Sequence, residues 1–308
     1  MFALALACTG FDIGVNDPDA QAPDPVWTTE TFTQDAAPAV DVLFLVDGTG
    51  SMSEEQAALA AAASDFVTEL QSRALDWQLG VASTDLTDNG VLYGDPWIVT
   101  PEHPDGVTAL AEAFSAIGTG HVPPSTGLDA ATLALRDSTG ENRGFRRESA
   151  ALQVVFVSDG DDQSGLVLGA DPVGTFVDLL VGQAARSAQP ARASAVVGDA
   201  PHGCDGAAGS ANAGTRYLEL AERTGGATAS ICSADFTGVA AALGELAARW
   251  PTRFGLHATP VEGTVTVEVD GVRVEPAAVD YVDPAVELSE PPAPDAEIRV
   301  HYRIAEAS

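Results

Sequence analysis

The chain has 308 residues, 45% of them apolar, which suffices for one large domain with a real core plus an accessory piece. Its 45 acids face 14 arginines and no lysine, and the resulting net charge of −31 repels phosphate backbones and argues against nucleic acid as a partner. No stretch of eighteen residues is free of charge, so none reads as a membrane-spanning helix.

At the N-terminus, MFALALAC (residues 1–8) is an apolar run ending in a small residue and a cysteine. It resembles the tail of a bacterial lipoprotein signal, with Cys8 the residue that would carry lipid. Too few residues precede Cys8 for a whole leader, so the start of translation is expected upstream. Residues 9–38 are rich in Pro, Asp, Ala, Gln and Thr and are expected to form a flexible tether, with a weak edge-strand signal in WTTETFT, Trp27 to Thr33. On this reading the chain meets a membrane only through lipid at Cys8. Export would expose the other two cysteines, Cys204 and Cys232, to oxidising conditions, where they are expected to pair.

From Val40 onward, apolar runs alternate with longer amphipathic stretches, the pattern of parallel strands joined by helices. DVLFLV, from Asp41, is the first strand. SEEQ then suggests a capping box between Ser53 and Gln56, opening a helix whose apolar face carries Leu59, Ala63, Phe66, Val67 and Leu70. Strands are expected at Trp77–Thr84 and, antiparallel, near Trp97–Thr100, and helices over 107–117 and 127–136. Ala151–Val157 reads as a central strand, with Val154–Val157 fully buried. A helix over 173–186, a strand at 193–197, a helix at 215–223, a strand at 227–231 and a helix at 235–249 follow. The predicted fold is α/β, a doubly wound, mostly parallel sheet flanked by helices, over residues 39–250. Residues 251–308 read as a small antiparallel β unit, with a hairpin turning at Asp270 and Gly271 in VEVDGVRV.

The chemistry is concentrated where buried strands end. In an open α/β sheet, ligands bind beyond the carboxyl ends of the strands. The first strand ends in DGTGS and presents Asp47, Thr49 and Ser51 there; the central strand ends in VSDG and presents Asp159. The loop between Gly118 and Gly127 offers Thr119, with Thr126 the second choice. Three hydroxyls and two carboxylates form an all-oxygen set suited to a small hard cation, Mg²⁺ or Mn²⁺. Only two negative charges then face a divalent ion, which leaves a coordination position for a carboxylate from elsewhere.

DVLFLVDGTGSM resembles the first motif of von Willebrand factor type A domains, whose metal-ion-dependent adhesion site is written Asp-x-Ser-x-Ser, with a Thr and an Asp from later loops. Asp47, Thr49 and Ser51 match the motif, with Thr in the middle position, and Asp159 matches the later aspartate. The order of elements agrees over residues 39–249, and VSDGDDQS, GTRYLELAERTGG and the SIC around Cys232 are similar to bacterial, notably myxobacterial, predicted lipoproteins of this family. The resemblance implies a metal-dependent protein-binding domain of the cell envelope, on an outer-membrane lipoprotein facing periplasm or cell surface, whose partner supplies an Asp or Glu carboxylate.

Other motifs carry less. Asp161 and Asp162 are spaced wrongly for an EF-hand and read as a solvated loop. A phosphate loop would need a lysine after GTGS. The five histidines lack ligand spacing, and only His121 sits in a rim loop. No activated nucleophile is visible, so catalysis is not expected. Two other readings remain at this point: a structural envelope protein with a non-functional metal site that assembles through the β tail, and a metal-assisted hydrolase using His121 as base. The Cys204 to Cys232 bridge is expected to stabilise the chain independently of the metal site.

Overall fold

The computed structural model describes residues 26–304, apart from 36, 123, 137–139, 148–149, 188, 234–235, 248–249 and 283–284. Cys8 and residues 9–25 of the expected tether lie outside the described residues. Strand β1 (Val26–Thr33) comes first, then β2 (Ala39–Val46), α1 (Ser53–Ala61), α2 (Ala63–Ser72), β3 (Asp76–Ser83) and β4 (Leu92–Tyr93). Helices α3 (Gly106–Ile117) and α4 (Gly127–Arg136) precede β5 (Ala151–Ser158), α5 (Pro172–Ser187) and β6 (Ala191–Val197). The hairpin β7 (Cys204–Gly206) and β8 (Gly209–Ala211) leads to α6 (Thr215–Thr224), β9 (Thr228–Ser230) and α7 (Thr237–Ala247).

The central sheet has the order β4-β3-β2-β5-β6-β9. All its pairings are parallel except β3 with β4. From β2 the chain moves to β3 on one side and later returns to β5 on the other. The carboxyl ends of β2 and β5 therefore flank the point where strand order reverses, the usual ligand position of such sheets.

Alternation along β2 supplies both cores. Val40, Val42, Phe44 and Val46 pack with Leu59, Phe66, Leu110, Phe114 and Leu243 of α1, α2, α3 and α7. Leu43 and Leu45 pack with Leu128, Phe176, Leu180 and Leu220 of α4, α5 and α6 on the opposite face. Asp41, fully buried at the start of β2, interrupts the apolar run and is held by Arg146 at 3.2 Å and Arg147 at 2.8 Å. This pair of arginines offsets the cost of a buried charge at the end of the sheet away from the candidate site.

The β tail is larger than its own sequence segment. Strands β10 (Arg253–Gly255), β14 (Ala285–Leu288) and β13 (Val279–Val282) form one antiparallel sheet. Strands β11 (Thr266–Val269), β12 (Val272–Arg273) and β15 (Glu297–Ile304) form another, in which β1 pairs with β15 along its whole length. Residues 26–33, expected as the end of the tether, are thus an edge strand of the C-terminal unit. Asp270 and Gly271 have φ of 50° and 75°, as the two central residues of a type I′ hairpin turn require.

Three local expectations change. The capping box does not form: Met52 stands at the N-cap without a side-chain bond, after a 3₁₀ turn over Gly50–Met52. The expected helix is two helices, with Ala62 between them. Trp97–Thr100 makes only one bridge, Val99 to Leu79, and the antiparallel edge strand is Leu92–Tyr93. Cys204 and Cys232 are bonded, with Cα atoms 6.0 Å apart, and tie β7 to the segment after β9.

Candidate metal centre

Asp47 is positioned by the strand that precedes it and by the turn that follows. Its backbone N–H donates to the carbonyl of Val157 at 2.9 Å, extending the β2–β5 ladder by one bond. Its carboxylate is 1% exposed and accepts from Thr49 N–H at 2.9 Å through Oδ1 and from the Ser158 hydroxyl at 2.6 Å through Oδ2. Each oxygen keeps a second lone pair. The Gln56 side-chain amide, buried at the first turn of α1, donates to the carbonyls of Asp47 and Gly118, both at 2.8 Å. One side chain thereby fixes the β2 loop to the loop after α3, which explains why Gln56 does not cap its own helix.

Around this aspartate the oxygens are contiguous. The Thr49 and Ser51 hydroxyls lie 3.3 Å apart. Neighbouring ligands of an octahedral Mg²⁺, each at about 2.1 Å, stand about 3 Å apart, so the spacing fits. Ser51 also hydrogen-bonds the carboxylate of Asp159, whose backbone N–H is held 3.2 Å from the Met52 sulfur and whose carbonyl accepts from Asn212 N–H at 2.8 Å. The acids are buried and Ser51 is exposed, so the oxygen set faces outward from a closed floor.

The charge balance also fits a cation. Burial, together with the nearby charge of Asp47, raises the Asp159 carboxyl above its ordinary value. Glu55 is 2% exposed, its Oε2 has no partner, and it is raised by burial and by the charges of Asp159 and Glu54. No arginine pairs with Asp47, Glu55 or Asp159 among the described residues. Asp159 thus feels the charge of Asp47, and Glu55 that of Asp159, without a paired arginine, an environment that a divalent ion would relieve. Among the described residues no three His, Cys, Asp or Glu side chains gather as a metal cluster.

The two threonine choices separate. Thr119 is exposed, and its carbonyl lies 3.6 Å from where a Cβ on Gly50 would stand, so its loop borders the motif. Thr126 is buried and its hydroxyl donates to the carbonyl of Thr84 at 3.2 Å. His121 is closer to the motif than its sequence position suggested. Its N–H donates to the carbonyl of Gly48 at 2.9 Å, and its ring fills the space a Gly48 side chain would need, 2.2 Å from the Cβ position. The ring lies 3.3 Å from the Ser83 hydroxyl, 4.0 Å from Asp85 and 3.7 Å from Asp88.

Asp161 and Asp162 form neither a second cation site nor a solvated loop. Asp162 is 3% exposed and accepts from Leu128 N–H and from both the N–H and the hydroxyl of Ser164. Asp161 accepts from Arg216 N–H in the first turn of α6. Neighbouring Asp129 on α4 likewise collects the N–H groups of Gly165, Leu166 and Leu168. Sequence reasoning did not single out Asp129, Ser158 or Glu55, and it read Gln56 only as a capping residue. Adjacency to Asp159 was the one available signal, and it pointed only to Ser158.

No family model and no curated protein matches the sequence. Solved structures resemble it at low identity. A von Willebrand factor type A structure from Catenulispora acidiphila is 13% identical, with 94% of this chain and 67% of that one covered and a TM-score of 0.44. Pilus adhesins from Lactobacillus rhamnosus GG and Streptococcus pneumoniae are 14% and 8% identical, cover 92% and 91% of this chain, and have TM-scores of 0.40 and 0.36. This chain spans 42% and 58% of the length of those two adhesins.

Proposed function

We propose that the chain is a metal-dependent protein-binding module of the bacterial envelope, anchored by lipid at Cys8. Asp47, Thr49, Ser51 and Asp159 would hold Mg²⁺ or Mn²⁺ with the help of Thr119, and a partner protein's Asp or Glu would complete the coordination. A bound ion would supply a Lewis-acidic position facing solvent. The protein's own residues do the rest: Ser158, Gln56 and Asn212 hold the two aspartates in place, and the exposed hydroxyls leave the outer face open.

One observation carries this reading. A contiguous set of Thr49, Ser51 and Asp159 oxygens beside buried Asp47 stands at the strand-order reversal, with no positive group paired to it among the described residues. The test is thermal unfolding of the full chain in Mg²⁺, Mn²⁺ and EDTA, for the natural protein and Asp47→Ala. Melting should rise with either metal in the natural protein and ignore both in the variant. Melting of the natural protein that is the same in metal and chelator would sink the reading.

A further inference from the structure

A cavity of about 550 Å³ adjoins the candidate metal centre, lined among others by Asp85, Leu86, His121, Thr126 and Leu166. His121 is the wall the two sites share, since it also bridges to Thr49. Val122 and Leu166, both in the lining, are 79% and 84% exposed. Two carboxylates stand by the His121 ring, Asp85 within the lining and Asp88 next to it. Asp85 uses Oδ1 to accept from the N–H and hydroxyl of Thr87, which leaves Oδ2 facing the imidazole of His121 at 4.0 Å. Asp88 accepts from the Tyr93 hydroxyl at 2.8 Å and reaches the same ring at 3.7 Å. Both separations exceed a hydrogen bond, and no arginine pairs with either acid among the described residues.

Exposed apolar side chains beside two carboxylates match one kind of side chain, a long aliphatic stem with a cationic tip. Lysine and arginine lay their stems along apolar surface and extend the charge beyond it. Long-range electrostatics select the same occupant. A partner segment that carries only an acid approaches a body of net charge −31 against repulsion, whereas a basic neighbour on that segment offsets it and steers the encounter.

We propose that this groove seats an Arg or Lys of the partner segment whose carboxylate is directed to the metal centre, with the stem between Val122 and Leu166 and the charge at Asp85 and Asp88. The proposal rests on the reading of the rim as a carboxylate-accepting site. It makes the recognised element a basic and acidic pair and gives the specificity to residues outside the metal ligands.

The test uses fluorescein-labelled synthetic peptides with one central Glu in a Gly/Ser background and one flanking Arg, Lys, Gln, Leu or Glu, moved through each offset. Anisotropy is read against the full chain in Mg²⁺ and in EDTA. At one or two offsets the Arg and Lys peptides should bind roughly tenfold or more tighter than Gln, the scale of one charge-assisted hydrogen bond. The double variant Asp85→Asn, Asp88→Asn keeps the acceptors for Thr87 and Tyr93 and should abolish that preference, while binding of the Glu peptides stays sensitive to EDTA. Equal binding of Arg and Gln peptides, a preference that survives the double variant, or failure of every basic peptide to bind overturns the proposal. Basic selectivity that depends on Asp85 and Asp88 but ignores EDTA sustains the groove and removes the metal reading instead.

Discussion

The backbone N–H of Asn212 lies 2.8 Å from the carbonyl of Asp159, and this bond joins the hairpin tethered by Cys204 to the candidate metal centre. The same hairpin closes over α1, where a Cβ on Gly209 would stand 2.0 Å from the Glu55 carboxylate. These contacts predict a coupling between bridge and rim, where the sequence alone suggested independence. Cys204→Ser should lower stability by roughly 3 to 4 kcal/mol on the loop-entropy model. It should also weaken the melting shift produced by Mg²⁺, because Asp159 loses a fixed neighbour. Denaturant unfolding gives the first quantity and a Mg²⁺ titration of the melting point the second; a full metal shift in the variant would uncouple hairpin and site.

Gln56 makes a different kind of connection. Its amide satisfies two carbonyls, at Asp47 and Gly118, at the joint between two loops. Gln56→Ala leaves both without that donor and should cost about 1 to 3 kcal/mol, the desolvation penalty of an unpaired buried polar group. With the Asp47 loop released, Mg²⁺ should also bind more weakly, as isothermal titration would register. Unchanged metal affinity in a destabilised variant would confine Gln56 to packing.

Periodicity was a good guide where burial alone decides structure. The alternation of β2, the fully buried β5 and the amphipathic α3 each follow from which faces meet the two cores, and the Asp270–Gly271 turn follows from backbone conformation. Asp47, Thr49, Ser51 and Asp159 were legible because strand ends are where an open sheet places polar groups. What escaped was set by tertiary partners. Ser53 and Gln56 satisfy a local capping rule, yet the carbonyls of Asp47 and Gly118 compete for the same amide and win. The alternation of Trp27 to Thr33 announced β1 as an edge strand, but not that β15 of the C-terminal unit is the partner that fixes it. His121 was placed in a rim loop by the sequence, but its packing into the space left by the missing side chain of Gly48 was not legible.

That complementarity can be tested directly. A methyl at position 48 would meet the His121 ring at 2.2 Å, well inside any contact a Cβ tolerates. Gly48→Ala should cost about 1 to 3 kcal/mol as an overpacking change. It should also push the imidazole away from Ser83, which the His121 Cε1 proton resonance would report. Adding His121→Ala should recover much of the loss, since the clash needs both groups, and a double-mutant cycle measures that coupling. Strictly additive effects would mean that the two residues do not meet.

The response to pH should run opposite to ordinary acid denaturation. Burial raises the carboxyls of Asp41, Asp35, Glu55, Asp159 and Asp162, against the pull of Arg147 on Asp41 and of Ser164 on Asp162. For Glu30, burial also works upward but is outweighed by hydrogen bonds from Tyr302 and His257, and the value falls; exposed Glu102 is lowered by a bond from Thr100. A group whose native value exceeds its unfolded value holds its proton more tightly when folded. Its stabilisation is complete below the ordinary carboxylate value of about 4 and is lost as pH rises through the native value. Glu30 acts with the reverse sign, losing its contribution as pH falls. Through the raised groups, Asp159 and Glu55 among them, the melting temperature in EDTA should rise as pH is lowered from about 7 toward 5. Relief of self-repulsion in a chain of charge −31 acts in the same direction, so the site-specific part must be read from a variant. Asp159→Asn should show a shallower rise in EDTA. In Mg²⁺ the natural protein should also flatten, because a cation favours the ionised carboxylate that acid removes. A melting point that falls steadily with acid in EDTA, or an identical slope in Asp159→Asn, would show that these buried carboxyls do not govern the stability of the fold.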